Sequence, residues 1–64
     1  MVTEEQEGYF FVIVEEGNEN KVKCDRISLV AFRPKMRALY FESKEDLDTG
    51  IKELKELGVK VELP

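Results

Sequence analysis

The sequence predicts an α+β fold in which a four-stranded mixed sheet carries one helix on one of its faces. A chain of 64 residues is long enough for one domain only. Three segments rich in β-branched and aromatic residues come first, and turn residues separate them. One segment with helical spacing and one short alternating segment follow, so the predicted element order is β-β-β-α-β.

The chain begins with an acidic segment that has almost nothing to bury. We expect residues 1–8 to form a flexible leader and residues 9–64 to form the domain. The first predicted strand, residues 9–16, carries apolar side chains at both alternating sets of positions up to Val14. Such a strand is typical of the centre of a sheet, where both faces are covered.

The second predicted strand runs from Lys21 to Phe32, after a turn at residues 17–20 that contains Gly and Asn. We expect it to pair antiparallel with the first strand as a hairpin. Residues 33–35 then connect it to a third strand, Met36 to Phe41, and Pro34 suits a connection because it has no N–H to donate.

The alternation of the second strand changes phase half-way along it. Val22 and Cys24 occupy even positions, whereas Ile27 and Leu29 occupy odd ones. One extra residue in the strand would place all four on the same face, so we predict a β-bulge at Asp25-Arg26. We expect the helix to cover this face.

The helix is predicted to begin at Lys44, behind an N-cap at Ser43 with Asp46 three positions on. Gly58 is the expected stop. The apolar stripe of this helix consists of Leu47, Ile51, Leu54 and Leu57. After Gly58, residues 59–63 alternate as a fourth strand. We expect it to run parallel to the third strand and the first, and the crossover rule places it beside the first, in the spatial order 4-1-2-3.

This arrangement leaves an apolar face of the sheet that the single helix cannot cover. The predicted partner interface consists of Phe10, Val12, Val14, Val30, Phe32, Met36, Ala38 and Tyr40. An exposed patch of that size is typical of a binding surface, and a second copy of the chain is the simplest partner, with a different protein as the next choice. A register shifted by one residue would instead gather these residues into one ordinary core.

A second hypothesis concerns the basic residues Arg33, Lys35 and Arg37. A basic rim beside exposed aromatic side chains such as Tyr40 is typical of proteins that bind single-stranded nucleic acid. The alternative is a charged hairpin that keeps an edge strand from aggregating, which we prefer.

Composition narrows the remaining classes of function. The net charge is −4, and the longest apolar run is far shorter than a bilayer span, so we expect a cytoplasmic protein without membrane contact. Abundant Glu and Lys resemble a thermophile's composition. With Cys24 alone and no histidine, we expect no disulfide, metal, cofactor or catalytic site. The sequence therefore favours a non-enzymatic protein-interaction or regulatory module that forms a dimer, and nucleic-acid binding is the alternative.

Overall fold

A computed structural model describes residues 10–63, which form three strands and one helix. The strands are β1 (Phe10–Glu15), β2 (Arg26–Val30) and β3 (Arg33–Phe41), and the helix is α1 (Lys44–Glu56). The predicted four-stranded sheet is wrong, because the described residues form a three-stranded antiparallel sheet. The predicted leader, residues 1–8, lies outside the described residues.

The strand order in the sheet is β1-β3-β2, and both outer strands run antiparallel to β3. The predicted pairing of the first two strands is therefore wrong, and so is the central place of the first strand. The central strand is β3, which is the longest strand with nine residues and ends in four buried ones, Ala38 to Phe41. A strand buried on both faces satisfies its backbone groups best with a neighbour on each side.

The segment between β1 and β2 crosses the sheet instead of returning as a strand. Gly17 has φ 99°, and the Asn18 N–H donates to the Glu15 carbonyl at 3.1 Å, which confirms the predicted turn. Val22 and Cys24 then pack against the core. The long strand from Lys21 to Phe32 is wrong, since β2 has five residues only.

The β2–β3 connection is a tight hairpin, because Val30 pairs with Arg33 and leaves only Ala31 and Phe32 between the strands. The predicted connection at residues 33–35 is wrong, since these residues belong to β3. The register shift of this pair lies between Leu29 and Val30.

The predicted bulge at Asp25-Arg26 does not lie inside a strand. The Asp25 N–H donates to the Tyr40 carbonyl at 2.9 Å, and Arg26, the first residue of β2, pairs with the same Tyr40. The alternation of apolar residues therefore shifts by one position after Cys24 because an irregular segment ends there and β2 begins.

The helix is where the sequence predicts it. Ser43 Oγ accepts a hydrogen bond from the Asp46 N–H at 3.0 Å, which confirms the N-cap. After the helix, Gly58 has φ 81°, the left-handed conformation that ends helices. Leu54 is fully buried, but Leu57 is the C-cap and is exposed, so its predicted place in the buried stripe is wrong.

The core lies between α1 and the two strands that it covers, β1 and β3. Its buried members are Val12, Val14, Leu39, Phe41, Leu54 and Val59. Gly50 is buried against the ring of Phe41, where a side chain would find no room. The helix therefore approaches the sheet closely at this point.

The segment after the helix reaches β1 but forms a single bridge, from Ile13 to Glu62. Two backbone hydrogen bonds of 2.9 Å join these residues in the antiparallel sense. The predicted parallel neighbour of the first strand is wrong, and the cause is the direction of β1. Because β1 is antiparallel to β3, a segment that returns from α1 in the direction of β3 runs against β1.

Candidate functional site

Residues of β1 in the predicted partner interface lie on the helix side of the sheet. Val12 and Val14 are fully buried in the core, and Phe10, half exposed at the start of β1, pairs with the core residue Phe41. The predicted place on an uncovered face is wrong for Val12 and Val14. Because both sets of alternating positions in β1 are apolar, only the pairing with β3 decides which set faces the helix.

Four of the other predicted interface residues, on β2 and β3, do lie away from the helix, but they offer little exposed surface. Ala38 and Tyr40 are buried, and Val30 and Met36 are partly buried. Phe32 differs from them, since it stands fully exposed in the hairpin turn. The eight residues therefore do not form one exposed apolar face.

Tyr40 is the centre of a side-chain cluster on the face away from the helix. Its ring stacks on Phe11 with 5.4 Å between centroids, and the Arg26 guanidinium carbon lies 4.4 Å from its ring centroid. Ser28 Oγ donates a hydrogen bond to Tyr40 Oη at 3.2 Å. With 4% of its surface exposed, Tyr40 has no free face on which a base could stack.

Two of the three predicted nucleic-acid contacts are held in ion pairs. Arg33 makes a bidentate pair with Glu62 at 2.7 and 2.8 Å, which raises the pKa of Arg33 and lowers that of Glu62. Arg37 contacts Glu16 at 3.2 Å. Lys35 has no salt bridge to any residue in the range 10–63. The basic residues therefore do not present three free cations to a phosphate backbone.

A group of large, exposed apolar side chains lies on β2 and its hairpin turn. Ile27 is 42% exposed, Leu29 is 73% exposed and Phe32 is 102% exposed. Within residues 10–63, β2 pairs with β3 alone, so its other edge has no neighbour there. We call Ile27, Leu29 and Phe32, with the outer edge of β2, the β2 surface.

The position of the helix explains why Ile27 and Leu29 are exposed. Their partners Leu39 and Arg37 lie on the helix side of the sheet, as the sequence predicts for these two β2 residues. The helix packs mainly on β1 and β3, however, and leaves these two β2 side chains exposed. A helix is about 10 Å wide and strands are about 4.8 Å apart, so one helix covers about two strands. A sequence that predicts one helix and at least three strands therefore also predicts that one strand stays uncovered on the helix side.

A cleft of about 360 Å³ lies between the segment that leads into β2 and the helix. It is lined by Lys23, Cys24, Asp25, Phe41, Asp46, Thr49, Gly50 and Glu53. Partial burial, and then the nearby Asp25 carboxylate, raise the pKa of the Cys24 thiol, so the thiolate that nucleophilic chemistry needs is disfavoured.

Metal-binding geometry is absent from the part of the chain that the structure describes. No group of three or more Cys, Asp or Glu side chains among residues 10–63 is placed to hold a metal ion. No helix in this range is long and apolar enough to span a bilayer.

Comparison of the chain with protein-family models, with curated proteins and with solved structures finds no significant match in any of the three. The candidate site therefore rests on the chain's own geometry, and the β2 surface is its most prominent feature.

Proposed function

We propose that this chain is a non-enzymatic protein-interaction module that forms a dimer through the β2 surface. In the proposed dimer, β2 of one copy pairs antiparallel with β2 of the other, so the two sheets become one continuous sheet. The observation that carries the proposal is an edge strand with two exposed apolar side chains, Ile27 and Leu29, on the same face.

The sequence of β2 is self-complementary about Ser28. A two-fold axis at Ser28 sets Ile27 of one copy opposite Leu29 of the other, and Leu29 opposite Ile27. On the other face, Arg26 meets Val30, so no like charges stand opposite each other. Apolar cross-strand pairs stabilise antiparallel sheets, and like-charge pairs would oppose them.

The edge of β2 lacks two of the devices that usually keep strands from pairing, lysine and proline. Proteins protect open edges with lysine, with proline or with inward-pointing charges. Residues 26–30 contain neither lysine nor proline, and the single charged residue, Arg26, stands at the end of the strand. An isologous dimer satisfies the outer backbone groups of both copies at once.

The test compares two leucines of similar exposure. Leu29→Lys places a charge on the β2 surface, and Leu63→Lys places the same charge at a leucine outside it that is 62% exposed. Burying a leucine contributes about 1–2 kcal/mol, and each dimer has two copies of it, so we expect Leu29→Lys to raise the Kd about 30-fold or more.

Light scattering and sedimentation across a concentration series measure the association. We expect a dimer for the unaltered chain and for Leu63→Lys, and a monomer for Leu29→Lys at the same concentrations. Circular dichroism verifies that the variants stay folded. A chain that remains monomeric at all concentrations, or a dimer that both substitutions weaken equally, would contradict the proposal.

A further inference from the structure

We propose that Phe32 of each copy inserts into the cleft beside Cys24 of the other copy. This inference rests on the proposed dimer and names a second contact within it. Three observations support it: the conformation of Phe32, the register of the β2 pair, and the charges around the cleft.

Phe32 is in an unfavourable position for an isolated chain. Its side chain is fully exposed, and its φ of 63° lies in the left-handed region that favours glycine. The two-residue turn places Phe32 in this conformation, and the exposed ring gains no contact with residues 10–63 in return. Aromatic side chains in such positions are typical anchors of interfaces, where a partner's pocket covers them.

The register of the proposed strand pair places Phe32 next to the cleft. When Ile27 stands opposite Leu29 of the other copy, the hairpin turn that follows β2 in one copy lies next to the segment that leads into β2 in the other copy. Cys24 and its neighbours Lys23 and Asp25 form one wall of the cleft. The axis that aligns the apolar residues of β2 therefore also brings the hairpin turn of one copy towards this wall of the other copy's cleft.

The cleft suits an aromatic side chain that is followed by basic residues. Its volume of about 360 Å³ exceeds the ~150 Å³ that suffices for a benzene molecule in a protein. Its lining includes the ring of Phe41 beside Gly50. Three carboxylates and one lysine give the cleft a negative balance, whereas Lys35, which forms no salt bridge within residues 10–63, follows Phe32 in the chain.

The insertion also supplies contact area that the strands alone lack. A stable interface buries about 800 Å² on each partner, and a strand of five residues provides a small contact by comparison. Two aromatic side chains seated in two clefts enlarge the interface on both sides of the axis.

Cys24 reports on the occupancy of the cleft, because it is the only cysteine of the chain. We expect alkylation of Cys24 by iodoacetamide to slow as the concentration rises through the range in which light scattering detects the dimer. Phe32→Ala should lose this protection even at concentrations where it still associates, and Phe32→Tyr should retain it. The monomeric Leu29→Lys variant gives the unprotected rate.

A second readout does not require a weakened dimer. The chain has no tryptophan, so Phe32→Trp introduces a single fluorophore at the hairpin turn. We expect its emission to shift to the blue on association, because the indole leaves water for the cleft, whereas Leu63→Trp should not shift.

The outcomes separate the two proposals. A dimer by light scattering whose Cys24 reacts at the unprotected rate overturns the insertion of Phe32 and leaves the β2 dimer standing. An unshifted emission from the dimer of the Phe32→Trp variant has the same meaning. Protection that Phe32→Ala retains also overturns the insertion. A chain that is monomeric at every concentration overturns both.

Discussion

The close contact between Gly50 and Phe41 permits a prediction about the stability of the fold. A Cβ atom at position 50 would lie 2.7 Å from Cζ and 2.9 Å from Cε2 of the Phe41 ring. Both distances are far below van der Waals contact. Phe41 is 2% exposed, so the ring cannot move aside into solvent. We therefore expect Gly50→Ala to destabilise the chain although alanine favours helix formation.

Two opposing effects set the magnitude. Overpacking a core costs about 1–3 kcal/mol, and the change from glycine to alanine within a helix contributes about 1 kcal/mol in the other direction. The net loss is about 1 kcal/mol, from a total stability of roughly 3–10 kcal/mol for a domain of this size. A loss of about 1 kcal/mol lowers the Tm of a small domain by about 4–8 °C.

Urea and thermal denaturation followed by circular dichroism measure this effect in a double-mutant cycle. Phe41→Leu removes the ring atoms that a Cβ at position 50 would meet, so Gly50→Ala should become neutral or stabilising in that background. Thr49→Ala, at an exposed position of the same helix, is the control and should not destabilise. A Gly50→Ala variant that is more stable than the unaltered chain, or equally destabilised with and without the ring, would refute the reasoning.

Three further predictions concern the helix cap, an ion pair and the hairpin turn. Ser43→Ala removes the acceptor of the Asp46 N–H and should lower the free energy of unfolding by about 1 kcal/mol in urea titrations. Arg33 lowers the pKa of Glu62, so this pair stabilises the fold above the unfolded-state pKa near 4.5 and loses its effect as the pH falls through the lowered value. The difference in stability between the Glu62→Gln variant and the unaltered chain should therefore shrink as the pH falls over that range. A difference in stability that stays constant with pH would contradict this role of the pair. Phe32→Gly should raise the Tm of the monomer, because glycine adopts φ 63° without strain. A lower Tm would contradict this prediction and show that the Phe32 ring supports the isolated fold.

The ion pair of Arg33 also links two parts of the fold that are distant in the chain. Arg33 begins β3, and Glu62 lies in the segment whose single bridge to Ile13 holds it beside β1. The same arginine was a predicted nucleic-acid contact. Its bidentate carboxylate partner favours a structural role at the start of the central strand.

The helix could be predicted from the sequence because its signals are local. Ser43 and Gly58 mark its ends, and the spacing of Leu47, Ile51 and Leu54 indicates the face that meets the core. The turn at residues 17–20 was equally local, since Gly17 adopts the positive φ expected of a glycine turn. These features depend on neighbours within a few residues, so the sequence alone determines them.

The strand order and the faces of β1 depended on the tertiary structure. The apolar residues of β1 occupy both alternating sets, so either set could face the helix, and only the pairing of Val12 with Leu39 placed the even residues in the core. A strand pairs with whichever edge gives the best packing, so the sequence did not reveal that β3, and not β1, lies in the centre.

The position of the β2 surface depends partly on the local sequence pattern and partly on the tertiary structure. The sequence alone placed Ile27 and Leu29 on the face of the sheet that carries the helix, and the pairing of Ile27 with Leu39 agrees with that placement. Only the tertiary structure could show that they are exposed, because exposure depends on which two strands the helix covers. With β3 at the centre and the helix mainly over β1 and β3, the short strand β2 lies at an edge that the helix leaves largely exposed.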